Sequence, residues 1–363
     1  MNTKGTYIMD RKARRHSLLA LLMFSISIFL FVGCEDNVTQ PPPPPPGPGP
    51  RLLVANDGGG TGYLSTVDLD STGEVRQGVA GLGRVPNYIV REGDKIYVLN
   101  TNSQDINILQ LGNSSELTSI DTVDVSFGGN RSPNSMALAN TGDFYISNFA
   151  DNSVSILDKD DLTISLIIPN VGQAPCGVLA YDDKIYVANS GYRNGSYDSV
   201  GVVAVISTVS TRVINRINVG VNPQYMIKDS NGQIHVVCTG DYNNIPGVIY
   251  KISARADTIT QVINIGGSPG DIALSGAFAY LSSFGNGTDG YLYRYNISTG
   301  QVLNSQANPI LVGAGASRIV SRSNGSVFVS CWSADKVEEI VGTGKMGSWS
   351  TGDGPGPLIV LED

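Results

Sequence analysis

Side chains suited to acid–base or metal chemistry are scarce in this 363-residue chain. It holds two histidines, His16 and His235. Zinc, copper and non-haem iron sites usually draw on several imidazoles, so multi-histidine metal or haem chemistry is not expected. Of the four cysteines, Cys34 stands near the N-terminus. The other three, Cys176, Cys238 and Cys331, are odd in number, cannot complete a disulfide framework, and read as small buried residues. Asp68 and Asp70 in "LDSTGEV" invite a calcium reading, but a polar β-turn accounts for them. What recurs instead is a set of amides, tyrosines and small residues just after a series of prolines, and the elements carrying those prolines define the fold.

One strand-like signature repeats along the chain: "RLLVAN" (51–56), "KIYVLN" (95–100), "DFYISN" (143–148), "KIYVAN" (184–189), "QIHVVC" (233–238), "FAYLSS" (278–283) and "SVFVSC" (326–331). Seven copies at a period of roughly 45 residues, with several short strands per unit, have the spacing of β-propeller blades. Each copy but the first follows a second strand opening on proline or its stand-in: "PNYIV" (86–90), "PNSMAL" (133–138), "PCGVLA" (175–180), "PQYMI" (223–227), "PGDIAL" (269–274) and "ASRIV" (316–320). Two more strand-like runs come after each copy. The expectation is an all-β, seven-bladed propeller of four-stranded antiparallel blades, strands a to d running outward.

The first copy lacks its a strand. The chain's end, "PLIVLED" (357–363), supplies it: aligned on "PCGVLAYDD", it places Pro357 at the opening proline and closes the ring by pairing both ends of the domain in one blade. No unpaired edge then remains between first and last blades.

In a meander the d–a and b–c connections share one side, which becomes the candidate binding face. The two positions after each proline should ring the channel mouth. The first holds Asn87, Asn134, Cys176, Gln224, Gly270, Ser317 and Leu358, and the second Tyr88, Ser135, Gly177, Tyr225, Asp271, Arg318 and Ile359. Amides and tyrosines give hydrogen bonds and flat contact area without strong acid or base function, which suits recognition better than turnover. Asn87, Tyr88, Asn134, Gln224, Tyr225, Asp271 and Arg318 are therefore the mouth candidates. The b–c loops of blades four to six are long (190–200, 239–247 and 283–290), and long loops in repeat folds commonly carry function. Their Tyr192, Arg193, Tyr197, Asp198, Asp241, Tyr242, Asn243 and Asn244 are expected to form one rim over a floor of Gln224, Tyr225 and Asp271. His235 falls inside strand b and reads as core, which leaves Cys176 without a histidine partner, so no catalytic residue is assigned.

Residues 1–33 read as a signal peptide: five basic residues (Lys4, Arg11, Lys12, Arg14, Arg15), then 15 apolar-rich positions from 18 to 32, short of the about 20 needed to span a bilayer. "FVGC" (31–34) resembles a bacterial lipobox, which implies cleavage before Cys34 and its lipidation; the other reading is an uncleaved anchor. Both tether the chain outside the cytoplasm. Residues 34–50 form an acidic and polyproline spacer. Cleavage removes five basic residues and one acidic, leaving 19 Lys+Arg against 31 Asp+Glu, a net charge of −12 that argues against a nucleic-acid partner.

The Y-V-x-N pattern, the proline-opened strand and the period resemble the YVTN-type β-propeller repeat family across residues 51–363, with departures at Ala316, Cys238, Ser283 and Cys331. The resemblance implies the fold and fits a lipid-anchored protein of the bacterial envelope; the expectation is an outer-membrane location, on either its periplasmic or its surface side, for a monomeric propeller with no cofactor. For function it leaves three classes open: a binder of a small molecule or glycan, with surface capture of cobalamin as its sharper form; a lactonase-like hydrolase, of which Asp271 alone would be a suitably placed metal-site carboxylate; and a scaffold for envelope proteins.

Overall fold

The structure is a computed structural model that describes residues 49–362 except 71 and 113–115. The predicted signal peptide and lipidated Cys34 lie outside the described residues. From residue 51 onward the described residues form seven antiparallel blade sheets and one small two-stranded ribbon. Six of the blades are four-stranded, five of them plain meanders and one, the first blade, completed by the C-terminal strand. In the sixth blade the outer strand is split, Val302–Asn304 and Ile310–Gly313 both pairing with Asp289–Asn296.

Strand b explains the repeat. In Arg51–Asn56, Lys95–Asn100, Asp143–Asn148, Lys184–Asn189, Gln233–Cys238 and Phe278–Ser283 every residue after the first is buried. Neighbouring blades cover both faces, so the strand is a continuous apolar run rather than an alternating one. Outer strands such as Leu117–Asp124 are mostly exposed. The terminal asparagine pins the turn that follows: Asn56 Nδ2 donates to Ser65 Oγ at 2.9 Å, and Asn100 Nδ2 to Asp105 Oδ1 and Asn107 Oδ1 at 2.7 and 2.8 Å. Where cysteine replaces asparagine the space is filled by packing: a Cβ on Gly220 would lie 3.0 Å from Cys238 Cβ. The Asp68–Asp70 turn is held by the Asp70 N–H donating to Asp68 Oδ1 at 2.9 Å.

Closure is as expected in kind and different in register. The inner strand of the first blade is Pro355–Leu361, antiparallel to Arg51–Asn56, with Val54 opposite Leu358 and Asn56 opposite Pro355. The opening proline is therefore Pro355, not Pro357. The same backbone pattern marks it in other blades: Pro86 faces Asn100, Pro175 faces Asn189, and a bulge follows. The residue before it has positive φ and accepts from the residue after strand b, as in Thr101 N–H to Val85 O and Asp57 N–H to Gly354 O at 2.9 and 3.0 Å. Glu362 fastens the end by accepting from Arg322 Nε at 2.8 Å and the Ser323 N–H at 3.2 Å.

Two buried ionisable clusters contribute to the acid response. Glu338, fully buried, lies 2.7 Å from Lys336 Nζ and 3.1 Å from Lys345 Nζ. Burial opposes its ionisation, but the two ammonium groups win and hold it below the usual glutamate range. His235 is fully buried between Asp229, 3.2 Å from its Nε2, and the Tyr295 hydroxyl at Nδ1. Burial pushes its pKa below the ordinary 6.5. Both groups bind fewer protons folded than unfolded, so both favour the native state at neutral pH and lose that contribution on acidification. Melting temperature should fall as pH drops below about 6.5, where the unfolded histidine protonates, and again below about 4.5 as unfolded glutamate does. A Glu338→Gln variant should melt lower at neutral pH and show a shallower second fall; a melting temperature flat from about pH 7 to about pH 3 would contradict this reading.

Candidate functional site

The backbone lacing just described brings the d–a and b–c connections of each blade to one face. There a cavity of about 510 Å³ opens at the channel mouth, walled by blades five, six, seven, one and two. A second of about 240 Å³ lies in the channel and ends among Ile89, Ile227, Ile272 and Ile319. Asn87, Tyr225, Arg318 and Pro357 line both and form the partition between them.

Arg318 is the crossbar of that partition. From the inner strand of blade seven, Ala316–Ser321, its Nη2 reaches blade two, donating to the Asn87 carbonyl at 3.0 Å and to Asn87 Oδ1. Its guanidinium carbon sits 4.4 Å from the ring centre of Tyr225 in blade five, a cation–π distance. Asn87 Nδ2 donates onward to the Asn134 carbonyl at 3.2 Å. Asp271 lines the lower cavity, its carboxylate accepting the N–H groups of Ile272 at 2.8 Å and Ile319 at 3.3 Å. Burial raises its pKa, with the Arg318 cation opposing. Burial likewise raises the Tyr88 and Tyr225 hydroxyls above the usual tyrosine value.

The upper walls are aromatic and exposed: Tyr242 at 58%, Phe284 at 52% and Trp332 at 45% of their full surface. Phe284 and Trp332 pack with ring centres 6.4 Å apart. Gln224 Nε2 donates to Asn222 Oδ1 at 3.0 Å and to the Tyr242 hydroxyl at 3.4 Å, holding that wall.

The structure brings together only part of the expected loop set. Tyr242 lines the mouth. Tyr197 stands behind it with ring centres 6.0 Å apart, and Tyr192 behind Tyr197 at 5.4 Å. The blade-four loop is a small ribbon, Tyr192–Arg193 paired with Ser196–Tyr197, and does not line the cavity. Arg193 donates to Gln173 Oε1 at 3.3 Å, and the Asp198 N–H donates to the Gly191 carbonyl. Asp241 caps its own loop, accepting the N–H groups of Asn243 and Ile245 at 2.9 and 2.7 Å, and Asn243 and Asn244 point to solvent. The floor of the mouth holds Gln224 and Tyr225, whereas Asp271 belongs to the channel beneath. In the first blade Leu358 and Ile359 do not occupy the mouth positions; the register shift puts Gly356 and Pro357 there. Phe284, Trp332 and Asp57, which the sequence reading did not select, each follow strand b directly, as does Thr239; that recurring position is the signal that would have found them.

Many solved structures have similar folds, among them three propellers from bacteria. A Bacteroides fragilis protein proposed as a 6-phosphogluconolactonase shares 14% identity over 88% of this chain and all of its own, with a TM-score of 0.68. The periplasmic gluconolactonase of Pseudomonas aeruginosa shares 14% over 86% of this chain and 99% of its own, at 0.64. Virginiamycin B lyase from Staphylococcus aureus shares 12% over 73% and 84%, at 0.55. At such identities the likeness is one of fold. No protein-family model and no curated protein matches the sequence. The fold is a seven-bladed β-propeller.

Cys176, despite its place at the mouth, is only 4% exposed, and burial pushes its thiol up to about 11. Cys238 and Cys331 are also buried and free, each pushed up to about 12. Since thiolate is the reactive form, iodoacetamide at about pH 8 should leave all three unmodified in the native protein and label all three once it is unfolded, read by peptide mass mapping. Fast native labelling of Cys176 would show that the mouth exposes a usable nucleophile.

Proposed function

We propose that the protein captures a small molecule in the mouth cavity and releases it chemically unchanged, while tethered to the bacterial envelope through Cys34. The observation that carries this reading is the cavity itself. At about 510 Å³ it has the size of a ligand pocket, with exposed aromatic walls and a few convergent polar groups at its floor. Solvent-facing Tyr242, Phe284 and Trp332 would be a liability on a surface with no partner. The groups that turnover would call on are otherwise engaged: His235 is sealed inside a blade, the Cys176 thiol is buried, and the Asp271 carboxylate accepts two backbone N–H groups. A corrinoid, the sharper candidate from sequence, would have to seat across the mouth rather than within it, so a smaller flat ligand is favoured.

A thermal-shift panel on the full chain, covering planar aromatic compounds, sugars, sugar lactones, corrinoids and divalent metals, tests the reading. A ligand that binds only the native state at one hundred times its Kd should stabilise the protein by about 2.7 kcal/mol. We expect a shift with planar compounds that is abolished in Trp332→Ala, and no hydrolysis of the lactones. Lactone turnover would replace capture with a lactonase-like hydrolase. No shift with any member would leave the protein-contact scaffold as the reading.

A further inference from the structure

Arg318 stands at the centre of the site with most of its hydrogen-bonding capacity unused. A guanidinium has five N–H donors in a fixed fork. Only Nη2 finds acceptors, both on Asn87, while Nη1 and Nε make no hydrogen bond among the described residues. No carboxylate lies within ion-pair distance of it among the described residues. Asp271 is the acid nearest in function, but it lines the lower cavity and spends its oxygens on the N–H groups of Ile272 and Ile319. The other carboxylate at the mouth, Asp57, belongs to the loop after strand b of the first blade and does not reach the channel below. The charge of this half-buried guanidinium is offset at contact distance by a carbonyl, an amide oxygen and a tyrosine face, and from the channel beneath by the Asp271 carboxylate, which leaves its upper edge open to an anion. A ligand anion would complete it.

From this cation at the floor and the aromatic walls above it, we propose that the mouth cavity takes a flat, largely apolar monocarboxylate, its ring system between Tyr242 and the Phe284–Trp332 pair and its carboxylate on the Nη1–Nε edge of Arg318. The proposal rests on the capture reading and adds the ligand's chemical class to it. A single guanidinium with an acid beneath it matches one negative charge better than two. The planar fork suits a carboxylate, which it can hold through two parallel N–H···O bonds. Selectivity would arise because a neutral isostere leaves the same donors unpaired.

Calorimetry on the full chain with 2-naphthoate and 2-naphthamide tests this, since the two differ in charge and hardly in shape. The acid should bind at least about tenfold more tightly than the amide, and added salt should weaken the acid alone. Arg318→Gln should erase the preference and leave amide binding in place, whereas Asp271→Asn should strengthen the acid and leave the amide unchanged. Circular dichroism melting establishes that each variant is folded; if Arg318→Gln is not, Asp271→Asn and Arg318→Lys carry the comparison, with Arg318→Lys retaining part of the preference. Equal binding of acid and amide by the wild-type protein would overturn the proposal and leave small-molecule capture standing. Failure of both probes to bind would also overturn it, and the wider panel then decides separately whether the cavity takes any ligand.

Discussion

The structure depends on one pairing made across more than 300 residues. Pro355–Leu361 joins Arg51–Asn56, with Arg51 opposite Leu361 and Val54 opposite Leu358. Leu358 and Leu361 are buried there, and Glu362 ties the end to Arg322 and Ser323 of the neighbouring blade. Without this strand the first blade would offer an open apolar edge to solvent. The loop-closure entropy for so long a separation is only modestly greater than for a short one, because it grows with the logarithm of length. The cost is kinetic: non-local pairings form late and slow folding.

Closing the ring and forming the mouth cavity are the same structural event. Gly354, Gly356 and Pro357 from the closing segment and Asp57 from the start of the domain all line the mouth cavity, and Pro357 is one of the four residues in the partition below it. The cavity thus exists only in the closed ring. Arg318 then draws opposite sides of that ring together, bonded to blade two and stacked on blade five. Each blade contributes little alone. The mouth is walled by five of seven similar blades held at a fixed radius, each free to vary the side chains after its opening residue and after strand b.

The fold was legible because burial on both faces of strand b forces the same apolar run in every blade, and a repeated run is visible as a period. The inner ring was legible for six blades for the same reason. The inner strand of the first blade lies two residues away from the expected register. A two-residue slip preserves which side chains face which way, and the segment "PGPLIVL" carries proline at both Pro355 and Pro357, so alternation and residue type gave no warning. Loop length marked blade four as prominent but not where its loop leans: Tyr192, Arg193 and Asp198 are spent on the ribbon and its neighbours. Conversely Trp332 has no long loop and contributes to the mouth from a short 3-10 turn, Trp332–Ala334. Direction comes from the backbone lacing after strand b, which sequence shows only once the equivalent positions are lined up.

Amide hydrogen exchange followed by mass spectrometry tests the closed ring most directly. The account predicts that Arg51–Asn56 and the amides of Leu358–Leu361 exchange as slowly as Lys95–Asn100 and the inner strands of the other blades, and that all of them open together in the global unfolding reaction. Fast exchange of the C-terminal segment beside protected inner strands elsewhere would show that it is a tail rather than a strand, and would contradict both the closure and the cavity built upon it.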